Sequence, residues 1–258
     1  MIPKGILMLL RFSSSTTTDG VVERDFLLGD VPGVLWTPDP PTPGAPLLLL
    51  GHGGGLHKRA PGLVARARQA VLRDGFAAVA LDAPGHGDRP RSDEDARWVV
   101  AMRGARAEGR PLGPVLDPFN RSLAERAVPE WRAAIDALLA LPEIGPDAPL
   151  GWSGMTLATA IGVPLAARDP RIRALIVGGS LAYDWLLEAA RRVTAPVEVL
   201  LPWDDPELDR GSGIALFEAF ASEDKTLHGF RGSHFLVPAD RIDTRFFARH
   251  LGHRSSGG

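Results

Sequence analysis

The chain has 258 residues and is 45% hydrophobic and 23% charged, a composition typical of a globular protein with a sizeable core. Its 29 basic and 31 acidic residues give a net charge of -2, so charge favours neither nucleic acid nor a membrane surface as a partner. The absence of cysteine excludes disulfides, thiolate metal sites and cysteine nucleophiles.

An apolar run near the start of the chain, Ile6–Leu10, is too short to cross a bilayer. It lacks the length and the small-residue cleavage site of a secretory signal. We therefore interpret it as a leading strand. We expect a cytoplasmic protein that acts on a small molecule and has no membrane or nucleic-acid partner.

Short apolar segments predict the first strands of a sheet. Val21–Leu28 and Gly33–Thr37 are strand-like, and a proline-rich connection at 38–46 separates them from Leu47–Leu50. The four leucines run directly into Gly51. A short apolar run that ends at a glycine suits a strand buried on both faces.

A helix and another strand follow the glycine-rich loop. Leu63–Arg73 carries apolar residues at helical spacing and arginines on the opposite face, and Gly75 marks its end. Phe76–Leu81 is the next apolar strand. Strand, helix and strand within about 35 residues form a βαβ unit, which predicts a right-handed crossover and a parallel sheet.

The segment at 92–141 is too long for a simple crossover between two strands. Its pattern is mostly helical and breaks at Gly109–Pro118. We expect its first part, about 92–119, to be a short helical insertion that caps a site. We expect Ala127–Leu141 to be the crossover helix.

Strands and helices alternate over the rest of the chain, and no linker divides it into two cores. The alternation predicts an α/β fold with a mostly parallel central sheet flanked by helices, in one domain at 1–258. The further predicted strands are Pro149–Gly154, Ala174–Val177, Val197–Leu201 and Lys225–Phe230. The further predicted helices are Leu157–Arg168, Trp185–Arg192, Ile214–Phe220 and Ile242–Leu251.

Reactive residues follow the last two predicted strands, at the edge where an open parallel sheet binds its ligands. His234 lies in a glycine-containing loop after the last strand and is a natural general base. Asp204 and Asp205 follow the strand before it, and either could orient the imidazole and stabilise its charged form. The alternative is a loop histidine and two loop-capping acids without a chemical role.

A hydroxyl residue at a sharp turn between a predicted strand and a predicted helix is the candidate nucleophile. Such a turn requires small residues two positions before and two positions after the nucleophile. Ser153 has the bulky Met155 two positions after it, whereas Thr156 lies between Gly154 and Ala158 at those positions. The spacing favours Thr156 and leaves Ser153 as the alternative.

A glycine run, Gly53–Gly55, follows an earlier predicted strand. Glycines permit unusual backbone angles and expose N–H groups, so Gly53 or Gly54 could form an oxyanion hole with the N–H of Leu157. A phosphate loop is the alternative, but Lys58 is not followed by the Ser or Thr of that motif. The dinucleotide fingerprint is absent as well, and we expect no cofactor.

The histidines lack the spacing of a known metal-binding motif, because they come from separate predicted loops. We therefore expect no metal site. The histidines considered are His52, His57, His86 and His234. Several aromatic residues suit either an apolar pocket near the cap or ordinary core packing. They are Trp98, Trp131, Tyr183 and Trp185.

Several motifs along the chain point to one family. They are Leu50–Gly54 with His57–Arg59, Leu81–Arg89, Thr159–Pro164 with Asp169–Arg171, Lys225–His228 with Gly232–His234, and Arg245–Leu251. Together they resemble the dienelactone-hydrolase-like branch of the α/β-hydrolase superfamily over roughly residues 45–251, with its chain order of nucleophile, acid and histidine. The resemblance implies an α/β-hydrolase fold and a serine hydrolase of esters or lactones. It also implies Asp205 as the acid, because Asp205–Leu208 matches the family's acid turn, His234 as the base, and oxyanion amides near Gly53 and Gly54.

The turn at Thr156 departs from the family pattern Gly-x-Ser-x-Gly, because it reads Gly-Met-Thr-Leu-Ala. Threonine has a hydroxyl and can act as a nucleophile. Its extra methyl crowds the attack and restricts χ1, and small misplacements of a nucleophile are costly.

Three hypotheses follow from these residues. The first is a hydrolase of a small or medium ester, lactone or thioester that acts through Thr156, His234 and Asp205. The second is a lyase, isomerase or cyclase in which His234 is the acid/base and Thr156 binds the substrate. The third is a binding protein without catalysis, since a fold alone does not decide function.

Overall fold

The computed structural model describes residues 9–235, 237 and 245–252. Within these residues ten strands form one sheet, which helices flank, and this architecture confirms the predicted fold class. The strands are β1 (Leu10–Phe12), β2 (Thr16–Thr18), β3 (Val21–Leu28), β4 (Val31–Pro38), β5 (Leu47–Leu50), β6 (Ala77–Leu81), β7 (Leu150–Ser153), β8 (Ile172–Gly178), β9 (Val197–Pro202) and β10 (Lys225–Phe230). The helices are α1 (Pro61–Asp74), α2 (Asp93–Ala107), α3 (Gly113–Leu139), α4 (Leu157–Ala166), α5 (Asp184–Ala190), α6 (Arg210–Ala219) and α7 (Arg245–Leu251).

The sheet is antiparallel at one end and parallel over the rest. Its order is β1-β3-β4-β6-β5-β7-β8-β9-β10, and β2 pairs with β3. Every neighbouring pair from β6 to β10 is parallel. The chain leaves β5 to build β6 on one side and then returns to build β7 on the other. This reversal creates a crevice beyond the carboxyl ends of β5 and β7, where open α/β sheets bind their ligands.

Two hydrophobic layers cover the two faces of the sheet. Side chains alternate between the faces of a strand, so Leu47 and Leu49 of β5 pack against the layer formed by α3 and α4. Leu48 and Leu50 pack against the layer that contains α1 and α7. All four leucines are buried, which confirms the strand predicted to be covered on both faces.

Helix α1 has the start and stop signals that its sequence predicts. Pro61 occupies the first turn, where its missing N–H costs no hydrogen bond. Gly75 ends the helix in the left-handed conformation, with φ 69°, and its N–H donates to the carbonyl of Val71. The face toward the sheet is formed by Leu63, Ala67, Ala70 and Val71.

Helix α2 lies within the predicted cap insertion, about 92–119. Ser92 caps its first turn, because the Ser92 hydroxyl accepts the N–H of Asp95 at 3.0 Å. Acidic residues in that turn complement the positive end of the helix dipole. The insertion then continues into the first turns of α3.

Helix α3 is longer than its sequence pattern predicts. It spans Gly113–Leu139 and continues through Pro118 and Pro129, whereas the pattern predicts a break at Gly109–Pro118 and a helix at Ala127–Leu141. A proline inside a helix costs about 3 kcal/mol, and each large side chain buried on the core face stabilises by about 1.5–3 kcal/mol. The buried side chains include Phe119, Leu123, Val128, Trp131 and Ile135. Burial of this long face outweighs the two prolines.

Two predictions concern the ends of the chain. Leu10 of the predicted leading strand Ile6–Leu10 begins β1, and residues 6–8 lie outside the described residues. Residues 242–244 of the predicted closing helix Ile242–Leu251 also lie outside the described residues. The rest of that predicted helix, Arg245–Leu251, is α7. Within the ranges that the structure describes, helices are too short or too polar to cross a membrane.

Candidate active site

The turn between β7 and α4 brings Thr156 to the carboxyl edge of the sheet. Thr156 has φ 59° and ψ -116°, a left-handed conformation that β-branched residues rarely adopt. Such a conformation costs on the order of 1–3 kcal/mol and persists only where the surrounding structure enforces it. The Thr156 N–H donates to the carbonyl of Gly178 in β8 at 2.9 Å, which helps to hold the turn.

Small residues on both sides allow the chain to make this turn. A Cβ placed on Gly154 would lie 2.4 Å from the Cβ of Ala158 and 2.9 Å from the carbonyl oxygen of Gly51. Both distances are too short for a real contact, so position 154 requires glycine. This steric restriction is the physical basis of the spacing that predicts Thr156.

Ser153, the alternative nucleophile, is part of strand β7 and not of the turn. It is 2% exposed, and its hydroxyl accepts a hydrogen bond from the Arg66 guanidinium of α1 at 3.2 Å. Thr156 is more exposed than Ser153 and occupies the strained position. The structure therefore places Thr156 where a substrate can approach.

His234 and Asp205 form a hydrogen-bonded pair at the same edge. The Nδ1–H of His234 donates to Oδ2 of Asp205 at 2.6 Å, and the His234 backbone N–H donates to the same oxygen at 2.6 Å. The other carboxylate oxygen accepts the N–H groups of Glu207 and Leu208 at 2.8 and 2.9 Å. This arrangement leaves Nε2 of the imidazole available to accept a proton.

The carboxylate of Asp205 is kept ionised by its surroundings. Its side chain is fully buried, and burial by itself raises the pKa. The backbone N–H groups of His234 and Glu207 and the imidazole outweigh that effect and hold the pKa of Asp205 below its ordinary value. A carboxylate that stays charged can stabilise the imidazolium that forms when His234 takes a proton.

Asp204 points away from this pair. Its side chain is 49% exposed and contacts the guanidinium of Arg231, with 3.4 Å between Nε and Oδ2. The structure thus brings His234 together with Asp205 and leaves Asp204 at the surface. The choice between the two acids that the residues alone left open favours Asp205.

Gly179, the residue directly after β8, lies between the histidine and the threonine. A Cβ placed on it would lie 3.3 Å from the Cβ of His234 and 3.5 Å from the methyl carbon of Thr156. Its φ of 57° also favours glycine. A glycine here lets the loop that carries His234 approach the turn that carries Thr156.

The loop after β5 brings Gly53 to the hydroxyl of Thr156. A Cβ placed on Gly53 would lie 3.0 Å from Oγ1 of Thr156, so the backbone of this glycine borders the hydroxyl. The His52 ring connects this loop to the loop after β6 through two hydrogen bonds. Its Nδ1–H donates to the Gly53 carbonyl at 2.9 Å, and its Nε2 accepts the N–H of Ala83 at 3.0 Å.

Leu157 and Gly54 are the two other predicted members of an oxyanion hole. Leu157 is the first residue of α4, and the first N–H groups of a helix have no partner within the helix. Those groups form the positive end of the helix dipole and favour negative charge. Gly54 is exposed, and a Cβ on it would meet no heavy atom within 4 Å. Gly53 is therefore the glycine nearer to the hydroxyl.

An ion-pair network supports the glycine loop, with Lys58 and Asp82 buried and Asp88 exposed, and the sequence patterns did not predict it. The ammonium of Lys58 contacts the carboxylates of Asp82 and Asp88, and the Lys58 N–H donates to Asp82 at 2.8 Å. Burial raises the pKa of Asp82, but Lys58 outweighs burial and holds it below the ordinary value. The network joins the loops after β5 and β6. The network becomes visible only in the folded structure, because a single lysine and two aspartates more than 20 residues away form no sequence motif.

Thr159 is a second supporting residue that the sequence patterns missed. Its hydroxyl donates to the carbonyl of Gly178 at 2.7 Å and accepts the Gly178 N–H at 2.9 Å. It thereby fastens the first turn of α4 to the end of β8. A hydroxyl residue within an otherwise apolar, fully buried helix is the signal that could have indicated this role.

The aromatic residues belong to the hydrophobic layer beside α3 or pack against it. Trp131 packs edge-to-face on Trp152 at 5.0 Å in the core. Tyr183 and Trp185 stack at 5.5 Å, and the Tyr183 hydroxyl accepts a hydrogen bond from Asn120 of α3 at 3.0 Å. This stack joins the loop after β8 to the helix that follows the cap.

Two of the histidines considered as metal ligands do lie together. The rings of His52 and His86 are 5.3 Å apart. Burial lowers the pKa of both, to about 4 for His52. Across residues 9–235, 237 and 245–252, no group of three or more His, Asp or Glu side chains is placed to hold a metal ion.

Acid should destabilise the protein through His52. The pKa of His52 is about 4 in the fold against an ordinary value of 6.5, so the unfolded chain binds the proton first. The stability that neutral His52 contributes is complete above about pH 7 and is lost as the pH falls toward 4. The difference between these two pKa values corresponds to roughly 3 kcal/mol.

Urea denaturation between pH 7 and pH 4 should show this loss of stability, and His52→Gln should show much less of it. His57→Gln, at an exposed histidine, is the control and should keep the parent's curve. Parallel curves for the parent and His52→Gln would contradict the assignment.

The structure resembles solved esterases over nearly its whole length. A cold-adapted esterase from an Arctic intertidal metagenomic library, solved as a PEG-bound complex, is 32% identical with a TM-score of 0.69, and the match covers 90% of this chain and 97% of that one. An acetyl xylan esterase from a Paenibacillus species is 16% identical with a TM-score of 0.71, covering 94% and 88% of the two chains. A dienelactone hydrolase from Anabaena variabilis is 20% identical with a TM-score of 0.59, covering 94% and 99%. The two lower identities show the fold alone. Neither a protein-family model nor a curated protein gives a significant match.

The match to the Arctic esterase combines 32% identity with cover of nearly the whole of both chains. The chain therefore belongs to the α/β-hydrolase superfamily of enzymes, in the same family as that esterase.

Proposed function

We propose that the protein hydrolyses a small or medium ester, lactone or thioester through a triad of Thr156, His234 and Asp205. The observation that carries the proposal is the convergence at the edge of the sheet. Thr156 occupies the strained turn. Only the backbone of Gly179 lies between Thr156 and the Cβ of His234, and His234 is hydrogen-bonded to the buried Asp205.

The chemistry follows from these positions. Nε2 of His234 takes the proton of the Thr156 hydroxyl as Oγ1 attacks the ester carbonyl carbon. The carbonyl oxygen gains negative charge, and the N–H of Leu157 with that of Gly53 or Gly54 stabilises it. The intermediate collapses to an acyl-threonine, and His234 returns the proton to the leaving alcohol. Water then attacks the acyl group with His234 as base, which releases the acid and regenerates Thr156.

The surroundings of Thr156 leave room for both branches of its side chain. Its hydroxyl faces Gly53 and the glycine loop, and its methyl carbon faces Gly179. Gly179 has no side chain, so the methyl has room beside the loop of His234. The hydroxyl is therefore directed toward the loop that would bind the oxyanion.

The comparisons support the class of reaction. The Arctic esterase and the acetyl xylan esterase are named for ester hydrolysis, and the third protein is a dienelactone hydrolase. We place this chain in the dienelactone-hydrolase-like branch because several motifs of its sequence resemble that branch. Within that branch the threonine at position 156 is a departure from the nucleophilic serine.

A non-hydrolytic enzyme is the second candidate, and the methyl of Thr156 is the observation that favours it. A β-branched nucleophile is sterically crowded, and a lyase, isomerase or cyclase needs no acyl-enzyme. In that case His234 would move the proton, and the hydroxyl of Thr156 would only bind the substrate.

A panel of activated esters with short and medium acyl chains tests the proposal. We expect the parent protein to release one equivalent of acid and one of alcohol for each ester consumed. A pH-stat and a chromogenic alcohol measure the two products independently. If the parent turns over none of the esters while Thr156→Ser gains activity, native ester hydrolysis is ruled out.

A further inference from the structure

The cap helix α2 is thinly packed on the body of the protein. Of its 15 residues only Asp95 and Ala105 are buried. Trp98, Val99 and Met102 are partly buried against the core. A helix with so little buried apolar surface depends on other contacts to keep its position.

An ion pair at each end supplies those contacts. At the N-terminal end the carboxylate of Asp95 accepts two hydrogen bonds from the guanidinium of Arg126 in α3, at 2.6 and 3.0 Å. At the C-terminal end the guanidinium of Arg106 donates two hydrogen bonds to the carboxylate of Glu207, at 2.6 and 2.8 Å. Both pairs have the bidentate geometry that makes arginine–carboxylate contacts strong and directional.

The two ends of α2 lie over different strands of the sheet. A Cβ on Gly85, in the loop after β6, would lie 3.2 Å from the carboxylate of Asp95. Glu207 follows β9. In the sheet order β5, β7 and β8 lie between β6 and β9. The cap helix therefore runs along the carboxyl edge of the sheet from the loop after β6 to the loop after β9, past β5 and β7, whose following loops carry Gly53 and Thr156.

The dimensions agree with this path. Four steps between neighbouring strands at about 4.8 Å place β9 roughly 19 Å from β6. A rise of about 1.5 Å per residue gives roughly 16 Å along α2 from Asp95 to Arg106, and the arginine side chain covers the remaining distance.

The two ion pairs of α2 differ in their exposure to solvent. The side chain of Asp95 is 4% exposed, whereas Arg106 is 47% exposed and Glu207 is 20% exposed. Water screens the second pair more, so it opens more easily. Glu207 is itself anchored, because its N–H donates to the carboxylate of Asp205. The C-terminal end of α2 is therefore attached, through Arg106 and Glu207, to the loop that carries Asp205.

We propose that Arg106 is a specificity-determining residue, which acts with Glu207 to hold α2 over the site and limits the size of the ester that reaches Thr156. This inference rests on the proposed function. Small esters pass beneath the closed helix, whereas bulky ones require the Arg106–Glu207 pair to open. Substrate size is then set by an ion pair between two segments 101 residues apart in sequence.

A thiol placed at position 156 measures access to the site without any catalysis. The chain has no cysteine, so Thr156→Cys introduces a single thiol. Its reaction rate with methyl methanethiosulfonate reports the reactivity of the thiol. Its rate with a fluorescein-sized methanethiosulfonate reports the opening of the cap. Both rates are compared with and without Arg106→Ala in the same background.

We expect Arg106→Ala to speed labelling by the bulky reagent about fivefold and to leave the small reagent nearly unchanged, since a well-formed exposed ion pair contributes up to about 1 kcal/mol. Salt at 1 M should speed bulky labelling of the Thr156→Cys protein but not of Arg106→Ala. Arg110→Ala is the matched control, because Arg110 pairs with Glu108 at the surface. It should label at the reference rate. Equal bulky rates for the Arg106→Ala and reference proteins would overturn the inference.

Kinetics on the otherwise unaltered protein complete the test. Arg106→Ala should raise kcat/KM for bulky esters about fivefold and leave kcat/KM for acetyl esters unchanged, and Arg110→Ala should change neither. If esters are hydrolysed but Arg106→Ala does not change this preference, the inference fails and the proposed function stands. If no ester is hydrolysed but the rate of labelling by the bulky thiol reagent still depends on Arg106, the proposed ester hydrolysis fails and the cap's control of access is supported.

Discussion

Thr156→Ala is expected to lower kcat for an activated ester by about 10³- to 10⁴-fold while the protein remains folded. The variant removes the attacking oxygen and keeps a small residue at the turn. Circular dichroism and thermal unfolding check the fold, and steady-state kinetics measure the loss. Residual turnover would come from the oxyanion hole and binding alone.

Two further variants make this result specific to the threonine. Ser153→Ala should keep kcat within about threefold of the parent, because it removes only the hydrogen bond from the charged Arg66 guanidinium, a contact that changes stability by about 1.5–3 kcal/mol and lies outside the triad. Thr156→Ser keeps the oxygen and removes the crowding methyl, so we expect its kcat to equal or exceed that of the parent, by up to about tenfold. A large loss in Ser153→Ala with a normal Thr156→Ala would reverse the assignment of the nucleophile.

His234→Ala should reduce kcat by about 10⁴-fold, because the proposed mechanism assigns the proton transfer from Thr156 to this imidazole. Asp205→Asn should cost about 10²- to 10⁴-fold, since an amide cannot stabilise the imidazolium and can favour the wrong imidazole tautomer. Both losses should be in kcat more than in KM, because the proton transfer occurs only on the way to the transition state.

The neighbouring acid supplies the control. Asp204→Asn changes a carboxylate one position away that is half-exposed and contacts only Arg231 among the described residues. It should retain nearly the parental kcat and stability. Similar losses in Asp204→Asn and Asp205→Asn would show that the loop and not the carboxylate is responsible.

The turn at Thr156 was predictable because its determinants are local. The clash that a side chain at Gly154 would make with Ala158 involves residues four apart, and it appears in the sequence as a spacing of small residues. The strands were predictable for a similar reason. Leu47–Leu50 is a continuous apolar run, and only burial on both faces accounts for it.

The choice between the two acids depends on side-chain direction, which adjacent residues do not reveal. Asp204 and Asp205 have the same chemistry, and the resemblance to a family selected Asp205. In the structure four hydrogen bonds hold Asp205 inward, while Asp204 faces solvent. Those contacts join residues up to 29 apart, so composition and periodicity do not show them.

The supports of the site were not predictable for the same reason. Lys58 reaches Asp82 across 24 residues, and Arg106 reaches Glu207 across 101. The length of α3 was underestimated because proline is read locally as a break, whereas burial of its long apolar face decides the outcome.

Covalent labelling of the active hydroxyl tests the proposed triad most directly. A fluorophosphonate reacts with a hydroxyl that a neighbouring base activates, and trypsin then releases residues 133–168, which contain both Ser153 and Thr156. Tandem mass spectrometry resolves the two by fragmentation between them. We predict one label on Thr156 in the parent and none in His234→Ala. A label on Ser153, or labelling of Thr156 that persists in His234→Ala, would contradict a triad of Thr156, His234 and Asp205.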